Sequence, residues 1–241
     1  DLWAVGDGGV RVHWDGTAWT ESRRDADWLL DVHGTAPDDV WAVDIDYGLH
    51  HWDGAAWTWF DPGQWSLAAV WASSRTEAWA VGHNGIVRWD GSTWTPAALG
   101  ERPHPLQDIG GTAPDDVWTV GEAGQILHWD GADWRPVVSG TDRGLLAVCA
   151  LAPTDAWAAG VDGAVLRWDG SAWRPVPSGT RTPVRALACP ATDDVWAAGT
   201  EGMLLHWDGA GWTRLPTGTW SGLGNLIAFR SDDVWAAAYD G

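Results

Sequence analysis

A short segment of the sequence, Asp-Ile-Asp-Tyr-Gly at residues 44–48, places two carboxylates beside a tyrosine. Closely spaced carboxylate oxygens in a turn suit Ca²⁺, so Asp44 and Asp46 form a candidate calcium site. The sequence indicates no other cofactor. Two carboxylates that face each other across a cleft are also the acid and base of glycoside hydrolases. Asp61 or Asp25 would supply a further carboxylate for such a pair.

Several large aromatic residues lie in segments that connect predicted strands, close in the chain to arginines and carboxylates. Indole faces stack on sugar rings while carboxylates accept hydrogen bonds from hydroxyls, and the same residue types anchor protein partners. The predicted ligand is therefore a glycan or a protein; the alternative is that these tryptophans only close loops over the core. The predicted binding residues are Trp28, Tyr47, Trp59, Trp65, Trp220, Arg24, Asp27 and Asp61.

The sequence contains no motif that would support catalysis. It lacks a P-loop, G-x-S-x-G, H-E-x-x-H and C-x-x-C. Sialidase-type chemistry needs a tyrosine nucleophile and an arginine cluster, whereas Tyr47 and Tyr239 are the only tyrosines and no arginine triad is recognisable. We therefore predict a non-catalytic binding protein of adhesin or lectin type. The alternatives are a glycan-cleaving hydrolase that uses the same face, and a structural scaffold or assembly factor.

The elements that would position these residues repeat along the chain. A tryptophan recurs every 38 or 39 residues, and in each of the first six repeats a W-D-G tripeptide and a further tryptophan follow it. Positions shared by all repeats are expected to form framework, whereas residues that break the repeat are candidates for a site. The first tryptophans of the repeats are Trp3, Trp41, Trp79, Trp118, Trp157, Trp196 and Trp235.

One repeat, residues 145–179, shows four short apolar runs joined by turn signals. The runs lie at 145–150, 156–159, 164–168 and 173–176, with an Asp-Gly turn between the third and the fourth. A period of about 40 residues with four strands is typical of a β-propeller. We therefore predict an all-β chain that forms one propeller domain over residues 1–241, with four-stranded antiparallel blades, six full repeats and a partial seventh.

The number of blades stays open in the sequence. If residues 224–230 add a missing first strand to the N-terminal sheet, six blades close, and this alternative is slightly favoured. With seven blades, both terminal blades are incomplete in this chain. An incomplete blade exposes strand edges, so self-association through these edges is also expected.

The repeat resembles known propeller families. A strand ending in W-A-V-G, then an aromatic-Asp turn and W-T, resembles the kelch repeat, and D-G-x-x-W resembles the Asp-box of sialidase-like propellers, one residue shorter. The unit D-D-V-W-A-V-G…H-W-D-G-x-x-W-T is similar to that of Trp-rich bacterial propellers grouped with the photosystem II assembly-factor and sialidase-like superfamilies. This resemblance covers the whole chain. It implies a propeller fold and an extracellular, cell-surface or periplasmic location in a bacterium.

The chain is strongly acidic, with 33 Asp and Glu residues, 14 basic residues and a net charge of −19. Such a surface does not neutralise phosphates, so no nucleic-acid partner is expected, and no apolar run is long enough for membrane insertion. Many carboxylates lie in turns, where Asp accepts hydrogen bonds from nearby backbone amides. The residue before each W-D-G is basic and is expected to pair with an Asp of the neighbouring blade: His13, His51, Arg88, His128, Arg167 and His206.

The two cysteines, Cys149 and Cys189, lie on the predicted first strands of successive repeats, one register position apart. Adjacent positions of a strand point to opposite faces, so the sequence favours two small apolar core residues. A disulfide between the two strands is the alternative.

Overall fold

A computed structural model describes residues 1–23, 28–46, 48–63, 65–101 and 103–238 of the chain. Its strands form seven antiparallel sheets, in each of which consecutive strands are hydrogen-bonded neighbours. The chain divides into two compact units, Asp1–Ile109 and Gly110–Gly241. Short 3₁₀ turns occur at Asp7–Gly9, Glu122–Gly124 and Val161–Gly163. Within the described ranges, no helix has the length and apolar character needed to cross a membrane.

The first unit holds sheets 1 to 3. Sheet 1 has three strands, β1 (Leu2–Gly6), β2 (Val10–Trp14) and β3 (Trp19–Arg23). Sheet 2 has four, β4 (Leu29–Ala36), β5 (Asp39–Asp44), β6 (Leu49–Trp52) and β7 (Trp57–Phe60). Sheet 3 also has four, β8 (Leu67–Ser74), β9 (Glu77–Gly82), β10 (Gly85–Trp89) and β11 (Trp94–Pro96).

Sheets 4 to 7 follow, and the second unit begins within the first strand of sheet 4. Sheet 4 consists of β12 (Leu106–Ala113), β13 (Asp116–Gly121), β14 (Ile126–Trp129) and β15 (Trp134–Pro136). Sheet 5 consists of β16 (Leu145–Ala152), β17 (Asp155–Gly160), β18 (Val165–Trp168) and β19 (Trp173–Pro175). Sheet 6 consists of β20 (Val184–Ala191), β21 (Asp194–Gly199), β22 (Met203–Trp207) and β23 (Trp212–Leu215), and sheet 7 of β24 (Leu223–Arg230) and β25 (Asp233–Ala238).

The all-β class and the antiparallel meander predicted from the repeat are confirmed. Five sheets have four strands, the first has three and the last has two. Residues 224–230 lie in β24, which pairs with β25 in a seventh sheet. Seven sheets, with the first and the last incomplete, are what the seven-blade alternative predicts.

The periodic tryptophans form joints between successive sheets. In the first unit, Trp3 of β1 packs against Trp52 and Trp57 of sheet 2, with ring centroids 5.5 and 5.4 Å apart. Trp3 is thereby inserted into the W-D-G hairpin of the next sheet, and such aromatic pairs stabilise beyond the area they bury. These tryptophans are therefore framework, as the repeat predicts. Equivalent trios are Trp41 with Trp89 and Trp94, Trp118 with Trp168 and Trp173, and Trp157 with Trp207 and Trp212.

The basic residue before each W-D-G pairs with a carboxylate of its own sheet, so the prediction of a partner in the neighbouring blade is wrong. His128 of β14 lies 2.8 Å from Asp116 at the start of β13 and stacks on Trp118 of that strand at 4.0 Å. The pairing is local because β13 and β14 are adjacent and antiparallel, which sets Trp118 opposite His128. The other pairs are His13–Asp1, His51–Asp39, Arg88–Glu77, Arg167–Asp155 and His206–Asp194.

Aspartates of the W-D-G turns accept hydrogen bonds from backbone amides of the same turn, as predicted. The Asp90 carboxylate accepts hydrogen bonds from the amides of Ser92 and Thr93, at 2.9 and 2.8 Å. Hydrogen bonds from the Thr93 amide and the Ser92 hydroxyl and amide lower the pKa of Asp90 to about 2. Much of the negative charge is therefore a product of turn structure, and it does not by itself indicate a cationic partner.

Cys149 and Cys189 form a disulfide, so the favoured prediction of two free core thiols is wrong. Their Cα atoms are 6.2 Å apart, within the range that a disulfide spans. The register argument fails because Cys189 does not lie in a regular stretch of strand. The β20–β21 pairing shifts between Ala188 and Ala191, and such a bulge turns side chains out of strict alternation.

Candidate functional site

The turn at 44–48 connects β5 to β6 and departs from the repeat at its first residue. The strand that carries the first tryptophan of the repeat is β5 in sheet 2, and it ends in Asp44. In five other sheets the equivalent strand ends in glycine, at Gly6, Gly82, Gly121, Gly160 and Gly199. The Asp44 side chain is buried and accepts hydrogen bonds from the Gly48 amide at 2.7 Å and from His50 Nε2 at 2.8 Å. Burial acts to raise the pKa of Asp44, but the hydrogen bonds from His50 and Gly48 outweigh it and lower this pKa.

His50 also departs from the repeat, and it contacts Arg11, which is a third residue that departs from it. The position two residues before the W-D-G tryptophan holds Val12, Val87, Leu127, Leu166 and Leu205 in other sheets, but His50 in sheet 2. His50 is fully buried, and its Nδ1 lies 3.1 Å from Nη2 of Arg11 on β2. The Arg11 guanidinium is also buried, and it lies 4.8 Å from the centroid of the Trp57 ring.

Sequence reasoning missed Arg11 and His50. The signal was present, since the position of Arg11 is aliphatic in the other five W-D-G repeats, at Leu49, Ile86, Ile126, Val165 and Leu204. A polar residue at a repeat position that is otherwise apolar indicates a specific buried contact, because an unpaired polar group is costly in a core.

Three exposed apolar residues lie at the two ends of the 44–48 turn, and we call them the sheet-2 patch: Trp28, Ile45 and Trp59. Their exposed fractions are 51%, 45% and 47%. The Ile45 amide donates to the Trp28 carbonyl at 2.9 Å, so these two residues are cross-strand neighbours at the start of the turn. At its end, Gly48 packs so closely against Trp59 Nε1 and the Asp44 carboxylate that a Cβ atom would not fit. Trp28 and Trp59 therefore contact opposite ends of one turn.

The structure assigns different roles to Trp65 and Asp61. Trp65 is partly buried and packs against the core cluster of sheets 2 and 3, close to Gly85 and Leu99. Trp65 is thus more enclosed than Trp28 and Trp59, and a binding role for Trp65 stays a prediction. Asp61 is exposed, and its carboxylate accepts a hydrogen bond from the Gly63 amide at 2.8 Å.

Three predicted binding residues, Arg24, Asp27 and Tyr47, lie outside the described residues, as does Asp25. Asp46 is exposed at the tip of the turn. Both oxygens of Asp44 face N–H donors of the protein, and in the described ranges no three His, Cys, Asp or Glu residues are grouped as a metal site would require. Calcium binding by Asp44 and Asp46 stays a prediction.

Trp220 belongs to the second unit and is 86% exposed. It follows a Thr-Gly-Thr segment that is held against the turn below it, where the Thr217 hydroxyl donates to the Gly202 carbonyl at 2.9 Å. Ser178 makes the same contact with the Gly163 carbonyl at 2.7 Å. A shallow cleft beside that loop is lined by Arg143 and Arg181 among others. The hydroxyls of Thr217 and Ser178 are thus used to hold their own loops.

Comparison with known proteins shows which fold this is. YCF48 bound to a D1 peptide aligns with a TM-score of 0.78 and 19% identity, over 98% of this chain and 86% of that one. A catalytically inactive virginiamycin B lyase from Staphylococcus aureus, with quinupristin, aligns with a TM-score of 0.83 and 12% identity over 98% and 90%. The WD40 repeats of RRP9 align with a TM-score of 0.75 and 10% identity over 99% and 79%. No protein-family model and no curated protein sequence matches the chain.

These structures place the chain among the β-propellers, as the repeat predicts. The three are a peptide complex, an enzyme and a WD40 repeat domain, so the fold does not fix the chemistry. The function must be argued from the residues that break the repeat.

Proposed function

We propose that this chain is a non-catalytic binding propeller and that the sheet-2 patch anchors a protein or peptide partner. The observation that carries the proposal is the patch itself: Trp28, Ile45 and Trp59 are large apolar side chains, each about half exposed around one turn. Isolated exposed apolar residues are ordinary, but a group of them on a built turn indicates an interaction site. Tryptophan is also the residue type most enriched among binding hot spots.

The mixture of side chains favours a protein over a glycan. Ile45 contributes an aliphatic surface, and Leu30 nearby in the chain is also exposed; aliphatic side chains suit an apolar anchor of a partner better than they suit sugar hydroxyls. The complex of YCF48 with a peptide supports this choice by analogy of fold. A glycan remains the second candidate, because the exposed carboxylates Asp46 and Asp61 lie close in the chain to Ile45 and Trp59.

The carboxylates argue against the hydrolase alternative. A glycosidase needs an acid and a base that reach the substrate. Asp44 is buried with hydrogen bonds at both oxygens, and Asp61 accepts a hydrogen bond within its own loop. We also propose a location outside the cytoplasm, supported by the Cys149–Cys189 disulfide, because structural disulfides persist in oxidising compartments.

The test is a paired screen of the purified chain against a random peptide display library and a glycan array. Each hit is measured again with Trp28→Ala/Trp59→Ala, and with Val138→Ala as the control because Val138 is an exposed apolar loop residue of the second unit. We expect peptide hits whose Kd rises at least tenfold in the double variant and stays unchanged in the control. Hits that bind the double variant with the same Kd as the wild type would refute the site. Only glycan hits that depend on the patch would make this a lectin, and no hits at all would favour a scaffold.

A further inference from the structure

Three residues that break the repeat at separate places in the sequence meet in one buried chain of hydrogen bonds. They are Arg11 on β2, Asp44 at the end of β5 and His50 on β6. Equivalent positions elsewhere hold an aliphatic residue, a glycine and an aliphatic residue, respectively. All three side chains are buried. Sheets 3 to 6 have no polar side chain at any of these three positions, so the network is a local addition to the framework.

The direction of the hydrogen bonds follows from the chemistry of the groups. A guanidinium can only donate, so Arg11 Nη2 donates to His50 Nδ1 across 3.1 Å. The ring proton of His50 is then on Nε2, which donates to Asp44 Oδ2 across 2.8 Å. The second oxygen of Asp44 accepts from the Gly48 amide. Gly48 is packed against the indole nitrogen of Trp59. A continuous line of contacts therefore runs from sheet 1 to an exposed residue of the sheet-2 patch.

We propose that Arg11, His50 and Asp44 are positioning residues that fix Gly48, at the end of the 44–48 turn, and the Trp59 indole in the binding geometry. This inference rests on the proposed function of the patch, since it explains how that patch is held. None of the three touches the partner. Arg11 belongs to sheet 1, so the neighbouring sheet takes part in shaping a site that sheet 2 presents.

Stability does not explain why three polar residues would occupy these positions. A buried charged network can often be replaced by apolar residues of similar size without loss of stability, whereas removal of a single partner is destabilising. The other sheets fold with aliphatic residues and glycine here. A buried network of hydrogen bonds such as that of Arg11, His50 and Asp44 fixes one arrangement of its members, and a rigid binding turn requires one fixed arrangement.

The experiment replaces all three residues at once by those of sheet 4, as Arg11→Ile/Asp44→Gly/His50→Leu. Because no single charge is left unpaired, this variant is expected to fold with a melting temperature equal to or above that of the wild type. Trp59 is followed by ¹⁹F NMR of 5-fluorotryptophan-labelled protein, its resonance assigned with Trp59→Phe. Gly48 is followed by amide hydrogen exchange. We expect the Trp59 resonance to shift and broaden, and exchange at Gly48 to become at least tenfold faster.

The matched control is His51→Arg, one residue away on the same strand. Arginine is the natural alternative at this position, as in Arg88 and Arg167, so the control should leave both signals unchanged. A folded triple variant with unchanged Trp59 and Gly48 signals would overturn the positioning role, whatever the ligand. If the variant fails to fold, Gly48→Ala replaces it; an unchanged Trp59 resonance there would likewise overturn the proposal.

The binding readout is kept separate from these structural signals. A display-selected peptide whose Kd depends on Trp28 and Trp59 should bind the triple variant at least tenfold more weakly. If Trp59 and Gly48 respond but that peptide binds with unchanged affinity, the residues position the turn but not the binding geometry, and the proposal is overturned. The binding function itself fails only if no ligand depends on Trp28 and Trp59, and the structural signals do not decide that.

Discussion

Cys149 and His33 occupy the same position of the repeat, and each links its own sheet to the first strand of the next. Both are the fifth residue of a first strand, and both pair with the repeat tryptophan of the second strand, Trp157 and Trp41. Cys149 is bonded to Cys189, the sixth residue of β20. His33 Nδ1 accepts a hydrogen bond from Ala72, the sixth residue of β8, at 3.2 Å. One pair of positions thus carries a covalent link in one unit and a hydrogen bond in the other.

The disulfide should contribute strongly to stability, because it closes a segment with a sequence separation of 40 residues. A crosslink of this span restricts the unfolded chain by about 4 kcal/mol in the chain-entropy estimate. We expect Cys149→Ala/Cys189→Ala to lower the free energy of unfolding by about 2–4 kcal/mol. Urea titrations of both proteins, with and without reductant, measure this. A reductant should destabilise the wild type and leave the double variant unchanged; equal midpoints for all four samples would contradict the prediction.

His33 should make the first unit sensitive to mild acid. Burial lowers the pKa of His33 to about 4 from an ordinary value of 6.5, against a smaller opposite effect of the Asp39 carboxylate. The unfolded state therefore binds more protons between these values, so the stability from neutral His33 is fully present above about pH 6.5 and is lost as the pH falls towards 4. The loss amounts to roughly 3 kcal/mol at 1.36 kcal/mol per pKa unit.

The measurement is the urea midpoint at half-unit steps between pH 7 and pH 4, for the wild type and for His33→Gln. Glutamine keeps an acceptor for the Ala72 amide but does not titrate. The variant should therefore show a smaller loss of stability over this range, and parallel curves would show that another group controls the acid response.

Repetition in the sequence predicted the framework well, because a framework contact recurs once per sheet. The spacing of Trp118 and Trp157 is enough to imply equivalent roles, and the structure gives both the same trio of rings. Contacts between unique residues carry no such signal. The pairing of Arg11 with His50 joins residues 39 apart in the chain, and it becomes visible only when each repeat position is compared for polarity.

The errors have physical causes as well. The prediction that His128 pairs across blades overlooked how close the antiparallel register brings it to Asp116 in its own sheet. Strict alternation placed Cys189 on the wrong face because a bulge cannot be read from a period of two. Among the predicted anchors, Trp28 and Trp59 are about half exposed at one turn, whereas Trp65 packs against the core. Sequence position alone does not reveal this difference in burial, and the binding role of each residue stays a prediction.

Asp31 on β4 offers a further test, because its charged carboxylate acts only as a hydrogen-bond acceptor for backbone amides, which a neutral amide oxygen can also do. It accepts a hydrogen bond from the Val70 amide at 2.9 Å, and burial raises its pKa despite that bond and a second from the Val32 amide. A raised pKa means that the folded state binds more protons, so ionisation of Asp31 costs stability as the pH rises. Asn225 occupies the equivalent position of β24 and accepts from the Leu226 amide.

Asp31→Asn should therefore raise the urea midpoint at pH 7, because the amide oxygen keeps an acceptor without the buried charge. The gain should shrink as the pH falls through the raised pKa of folded Asp31 towards the ordinary value of 3.8, and it should be absent below that value, where the Asp31 carboxyl is neutral in both states. The reverse change at the other position, Asn225→Asp, should lower the midpoint at pH 7. A midpoint for Asp31→Asn that falls at neutral pH would show that the charge itself stabilises the fold.

The sequence predicts Trp220 as a binding residue, and its side chain is far more exposed than those of the sheet-2 patch. Because 86% of its surface already meets solvent, Trp220→Ala should change the free energy of unfolding by less than about 0.5 kcal/mol. Trp196→Ala in the same unit is the control: that side chain is buried and stacks on His206 at 4.3 Å. Its removal should cost about 3–5 kcal/mol.

The same variant tests whether Trp220 shares a ligand with Trp28 and Trp59. No polar network like that of Arg11 and His50 supports Trp220 in the described residues, and the hydroxyl of Thr217 in its loop makes the same contact with a glycine carbonyl as Ser178 does in the preceding sheet. We therefore expect a peptide that depends on Trp28 and Trp59 to bind Trp220→Ala with a Kd within twofold of the wild type. A tenfold weaker Kd, with unchanged stability, would mean that Trp220 also contributes to binding of this peptide and that Trp28 and Trp59 are not its only anchors.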